Sequence, residues 1–429
     1  MVRRILLALI TATFALCYTS AAPAENWPQW RGARLDGVSA EKGLPAEFGP
    51  NKNVAWRTPL PGRGGATPAV WENRIFVSSV DGKDLVLVAL DTATGKEVWK
   101  RVVGTGNRLV SRDEGDYASP SPCTDGKYVW ALMSTGDLAC FDFGGKEIWQ
   151  KDLESDYGRI DVGYAFSSSP VLDDGRLYIQ LIHSGGANVV ALDGATGKEI
   201  WKVKRESDAR AECEHSYASP IMYRDEQQKY LITHGADYAI AHNLKDGSEL
   251  WRAGGLNVGR YNPTLRFVAT PVAVPGLIVV PSAKNGPVLG LKPTAMGNVT
   301  GQQEYHHWVR PKGTPDVPSP LVVDGIVYLC RENGTLTAMD AKSGEQLYNE
   351  QALHRQRHRA SPVFADGKIF LVARDGVVSV VKPGREFQMI AQNKMNEQIS
   401  ASPAIANGTM YLRSFDALYA IRSSEQAAR

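Results

Sequence analysis

The chain has 429 residues, 43% of them hydrophobic and 22% charged, the make-up of a globular protein that buries a sizeable core. Outside Arg3 and Arg4, 46 basic residues balance 46 acidic ones. A neutral surface gives no electrostatic reason to expect a nucleic acid partner.

At the N-terminus, Arg3 and Arg4 precede an apolar run from Ile5 to Cys17, and small residues lead to Ala22-Pro23-Ala24. A charged start, an apolar stretch and an A-x-A site make a signal peptide over residues 1–24, cleaved near Ala24. Export is therefore expected, to the periplasm or otherwise, with association with the outer membrane left open. No later stretch reaches the roughly 18 apolar residues that span a membrane. A lead-in segment, residues 25–53, follows.

From there the chain repeats. Ser/Thr-Pro recurs at Thr67-Pro68, Ser119-Pro120, Ser169-Pro170, Ser219-Pro220, Thr270-Pro271, Ser319-Pro320, Ser361-Pro362 and Ser402-Pro403. Each pair opens a short apolar run, a turn, a β-branched or aromatic run, another such run, a second turn and a last run with an aromatic residue. Asp91-Thr-Ala-Thr-Gly-Lys-Glu-Val-Trp99 and Asp193-Gly-Ala-Thr-Gly-Lys-Glu-Ile-Trp201 are nearly identical. The aromatic positions are Trp99, Trp149, Trp201, Trp251, Trp308 and Tyr348.

Proline lacks an N–H and belongs at the start of a strand or on an edge. Asp and Gly suit tight turns, and Trp gives a broad apolar plate. Units of 40–50 residues with four strands each read as propeller blades. The eighth unit ends after its third strand, Ala417–Ile421, and Val54-Ala55-Trp56 supplies the missing fourth, with Trp56 in the aromatic position. The expectation is all-β: an eight-bladed β-propeller of four-stranded antiparallel blades over residues 54–422, closed by the N-terminal strand, with a tail at 423–429. The fifth unit reaches Trp308 late and carries an inserted loop.

The A-L-D-x-x-T-G-K-E-x-W element with its Ser-Pro strands resembles the PQQ-like (quinoprotein) repeat family. That resemblance implies one of two roles. One branch comprises dehydrogenases holding pyrroloquinoline quinone and calcium beneath two adjacent, disulfide-bonded cysteines. The other comprises non-catalytic BamB-type scaffolds that help assemble outer-membrane β-barrels. Cys123, Cys140, Cys213 and Cys330 are scattered, with no adjacent pair; Cys140 and Cys330 lie in strand-like runs, which favours buried free thiols, while export permits a disulfide that spacing alone does not establish. The scaffold branch is therefore expected, with no cofactor, as a monomer whose partners are envelope proteins or peptides. A quinone- and calcium-dependent dehydrogenase is the first alternative and a glycan-binding module the second.

Loops entering the inner strands should converge on one mouth of the channel, where a rigid scaffold concentrates binding groups. Residues before each Ser/Thr-Pro give Arg63, Asp116, Phe166, His215, Arg266, Asp316, Arg359 and Gln398, with Arg357 and His358 alongside. A mixed-charge ring of this kind suits a peptide, a glycan or a small anion. No histidine pair comes with the spaced cysteines or carboxylates of a metal site, and no nucleophile elbow, Walker loop or H-E-x-x-H motif is present.

Overall fold

A computed structural model describes residues 25–110 and 114–423 of the protein. The signal peptide expected at 1–24, and all of the tail but Ser423, lie outside the described residues.

Eight antiparallel sheets stand around one axis. The third is representative. Pro170 has no amide hydrogen to offer, and the inner strand Val171–Asp173 begins just after it. It pairs with Arg176–His183, then Gly186–Asp193, then the outer strand Glu199–Lys204. Buried residues dominate the middle strands, while the outer strand alternates exposed and buried positions. The core lies between blades: Phe76, Leu87 and Trp99 of the first pack against Val129, Ala139 and Phe141 of the second.

The ring closes with the chain's own ends. Val54–Pro59 pairs antiparallel with Ala417–Ile421, placing Trp56 opposite Ala420 and completing the last blade. Arg57 on this strand binds Glu397, which also accepts hydrogen bonds from Ser414 and Tyr419. At the same seam the buried Arg413 donates to the carbonyls of Gly64 and Ser78 in and around the first blade. Burial pulls the Arg413 guanidinium down to about 10, against the attraction of Asp116.

The turn motif and the tryptophan belong to one device. Asp193 accepts from the backbone and hydroxyl of Thr196, and Gly197 takes a positive φ of 68°. A Cβ on Gly197 would sit 2.8 Å from the ring of Trp149, on the preceding blade. Trp149 in turn donates its indole N–H to the Gly194 carbonyl at 2.9 Å. Trp56, Trp99, Trp201 and Trp308 make the equivalent bond to Thr92, Phe143, Leu244 and Ala341. Glycine is thus needed both for its backbone and for the neighbour's aromatic plate.

Trp251 is the exception. It is buried against Tyr230, and among the described residues its indole N–H reaches no carbonyl of the next blade's turn. The next blade's turn is where the insertion occurs. Gly297–Asn298 of the insertion runs parallel to Trp251–Arg252, adding a fifth strand to the fourth blade. Tyr230 donates to Pro293 and the Gly254 amide to Thr300, holding the loop down.

The serines and threonines form a belt. Backbone amides of Thr67, Ser121, Ser169, Ser219, Thr270, Ser319 and Ser361 each donate to the hydroxyl of the next residue in the series, at 2.9–3.0 Å. The last acceptor is Ser402, and the Thr67 hydroxyl closes the belt on the Ser402 carbonyl at 3.2 Å. One expected position is corrected here. The second blade contributes Ser121-Pro122, not Ser119-Pro120. Tyr117-Ala118-Ser119-Pro120 copies Tyr217-Ala218-Ser219-Pro220 in sequence, but the Ser119 hydroxyl turns back to the Asp116 amide at 3.1 Å.

Candidate functional site, a blind cup

The lead-in decides the shape of the channel. Trp27 exchanges backbone hydrogen bonds with Val70 of the first blade, and the Pro28 carbonyl accepts from Thr124 of the second. Gln29 brackets Leu172 of the third, its side chain accepting at 2.9 Å and donating at 3.4 Å. Arg31, buried, donates to Pro320 beside the sixth blade, and the Ser39 amide reaches Phe364 of the seventh. Residues 27–39 therefore cross the ring at the end where inner strands turn outward. Trp30 lines the cavity above this crossing.

The opposite end is open. There the loops entering the inner strands and the hairpins between second and third strands surround a cup of about 1060 Å³, open solvent at its mouth included. The hydroxyl belt encircles it. Tyr164, Tyr217 and Phe415 supply aromatic wall, and Arg266, Arg359 and Arg374 supply charge.

Asp116, Arg266 and Arg359 line this cup as a group. Burial pushes the Asp116 carboxyl up, while Arg413, the Ala118 amide, Ser119 and Arg63 draw it back. Arg266 lies over the Tyr164 ring, 5.2 Å from its centre, and 3.5 Å from Glu212. Arg359 pairs with Glu114 and with Glu332. Arg63 stacks on Phe415 at 4.0 Å.

Asp316 and Arg357 lie in a neighbouring groove on the same face, with Lys284, Arg331 and Arg355. Arg357 also reaches Glu114 at 3.1 Å, so Glu114 links groove and cup. Gln398 is exposed nearby, its carbonyl accepting from the Phe415 amide. His358 is fully buried, its Nδ1 2.9 Å from the Gln356 carbonyl. Phe166 is likewise buried, among hydrophobic side chains of the second and third blades.

His215 lies 2.7 Å from the Ser184 hydroxyl. Its Nδ1 accepts from the Gly163 amide, so the proton sits on Nε2 and points at the serine. A serine nucleophile needs the reverse arrangement. Burial holds the imidazole below its usual value.

Sequence reasoning missed Tyr164, Tyr217, Arg374, Phe415 and Trp30. Tyr217, two residues before Ser219, was open to detection as part of the repeat. Arg374 and Phe415 come from hairpins between second and third strands, where no repeated motif marks a mouth residue. Trp30 needs the path of the lead-in across the ring, which no local pattern encodes.

The quinone and calcium implied by one branch of the resemblance can be tested on the donors. Calcium takes six to eight oxygens, carboxylates prominent among them. Among the described residues no three His, Cys, Asp or Glu side chains converge on a metal position. The Asp116 carboxylate already accepts from the Ala118 amide at 3.0 Å and faces two guanidiniums. Cys123, Cys140, Cys213 and Cys330 are free and buried. Cys123 and Cys140 pair with Trp130 from opposite sides, two strands apart. These residues do not fit that group.

Three segments, residues 49–139, 134–307 and 307–429, match the family described as outer membrane protein assembly factor BamB. The protein of that name from Yersinia pestis is 25% identical over 325 residues, covering 73% of this chain and 74% of the relative. The crystal structure of BamB from Moraxella catarrhalis superposes with a TM-score of 0.62 at 16% identity, over 86% of this chain and 97% of that one. The quinohemoprotein alcohol dehydrogenase of Comamonas testosteroni gives 0.67 at 13% identity, over 94% of this chain and 81% of its own. The structural likenesses carry the fold, which both proteins share.

Proposed function

The chain belongs to the outer membrane protein assembly factor BamB family, and from that premise we propose that it is an exported, non-catalytic scaffold holding an envelope protein at the open end of its ring. The observation that carries this reading is the asymmetry of the two ends. One is crossed by the chain's own lead-in. The other presents the cup and the basic groove side by side, linked by Glu114 and Arg357. Charged loops on a rigid frame are suited to steering and registering a partner, more than to supplying raw affinity. The relatives' name supports a role in assembling outer membrane proteins.

Site-specific photo-crosslinking in cells tests the proposal. A photoreactive residue at Arg357, on the open end, should capture an outer membrane assembly protein identified by mass spectrometry. The same residue at Lys127, on the turn at the sealed end, should not. Equal capture at both positions, or none at Arg357, would reject it.

A further inference from the structure

We infer that the cup is a binding site for a single carboxylate, presented by a small organic acid or by a chain terminus. Three features of the cup converge on that chemistry, and none of them depends on a protein docking over the mouth.

The first is a surplus of donors. Each belt hydroxyl from Ser121 to Ser402 accepts one backbone amide from the preceding blade. None of these seven spends its own proton on an acceptor within the described chain. They are largely buried and line the cavity. A hydroxyl has one proton to give and two lone pairs, so this wall offers donors to any acceptor that enters.

The second is Arg266. Its guanidinium makes no side-chain hydrogen bond within the described chain, and its nearest carboxylate, Glu212, is 3.5 Å away. It is nonetheless held in place. It lies over Tyr164, whose amide donates to the Tyr217 hydroxyl at 3.0 Å, and the Tyr217 amide is tied to Phe267 at 2.8 Å. A fixed, planar fork that is hydrogen-bonded to no side chain, with its one ion pair to Glu212 a long one, is the geometry that grips a carboxylate with two parallel hydrogen bonds. Arg359 differs, because Glu114 and Glu332 already occupy it.

The third is charge. The wall carries Arg266, Arg359 and Arg374 against Glu114 and Asp116, and Glu332 behind Arg359 and Glu212 beside Arg266 add to the opposition to a second negative charge. A carboxylate monoanion matches one available guanidinium and a neutral hydroxyl wall. A phosphate dianion does not. Because Trp30 and the lead-in close the far end, the ligand enters and leaves through the mouth, and a chain can insert only by its end.

Calorimetric titration of the full mature chain tests this with four probes: benzoate, benzamide, triglycine and triglycine amide. Each acid should bind at least tenfold more tightly than its amide. Arg266→Gln should weaken the acids tenfold or more and leave the amides unchanged. Arg266→Lys, which keeps the charge and loses the fork, should fall between, and it serves as the test if the glutamine variant does not fold. Tighter binding of benzoate than triglycine would point to a small acid, and the reverse to a chain terminus. Acid and amide binding alike, no binding by either acid, or full affinity in both arginine variants would overturn the inference.

Discussion

Replacing Ser169 by alanine removes the acceptor of the Ser121 amide, which it holds at 2.9 Å in a position where both residues are buried. An unsatisfied buried donor costs about 1–3 kcal/mol. With unfolding entropy near 2.1 cal/mol/K per residue, a ring of about 400 residues carries roughly 0.8 kcal/mol/K, so the melting point should fall by about 1–4 °C. Urea unfolding followed by tryptophan fluorescence should show the same loss as a lower midpoint at unchanged slope. Ser169→Thr keeps the hydroxyl, as Thr67 and Thr270 do in the same belt, and should stay within about 0.5 kcal/mol of the parent. The pair Ser121→Ala and Ser119→Ala tests the register directly. Ser121 accepts the Thr67 amide inside the belt, whereas Ser119 caps a turn at the cup wall. A neutral Ser169→Ala, or a Ser119→Ala more costly than Ser121→Ala, would refute the reasoning.

Other consequences follow from the same structure. Gly197→Ala places a Cβ against Trp149 at a positive φ, and chemical denaturation should show a loss of at least about 1–2 kcal/mol from the backbone alone. Trp99→Phe keeps most of the apolar plate but forfeits the indole bond to Phe143, and should lose about 0.5–1.5 kcal/mol beyond the change in packing. His234 is buried edge-on to Phe267, and burial together with Arg205 pulls its pKa down to about 3. The unfolded chain takes up this proton first, so the stability it confers is complete above about pH 6.5 and is lost as pH falls toward 3, by up to about 1.4 kcal/mol per unit. Melting curves from pH 7 to 4 should therefore flatten in His234→Leu, and parallel profiles would contradict the assignment.

The architecture was legible because each blade repeats its own chemistry. The Asp-to-Gly turn and the Trp four residues later recur because the glycine of one blade makes room for the tryptophan of the one before it, as at Gly197 and Trp149. The closing strand could be read for the same reason: the last unit lacked what Trp56 supplied. The second blade's register was not legible, since two Ser-Pro pairs lie two residues apart and the closer copy of its sibling is the one outside the belt. The mouth was partly legible. Charged residues just before the inner strands do surround the cup, but direction along a loop is set by packing, which buried His358 and placed Asp316 and Arg357 in the adjoining groove. The lead-in was legible as a segment ahead of the first blade but silent about its course, because its contacts are with strands roughly 40 to over 300 residues away.

The most direct test of the scaffold reading is the content of folded outer membrane β-barrels in cells deleted for this gene and complemented with variants. Arg355→Glu combined with Arg357→Glu reverses two exposed charges of the groove at the open end. The prediction is that deletion lowers folded barrels, the parent chain restores them, and the double variant fails to do so while melting like the parent. Unchanged barrel content after deletion, or full restoration by the double variant, would contradict the account.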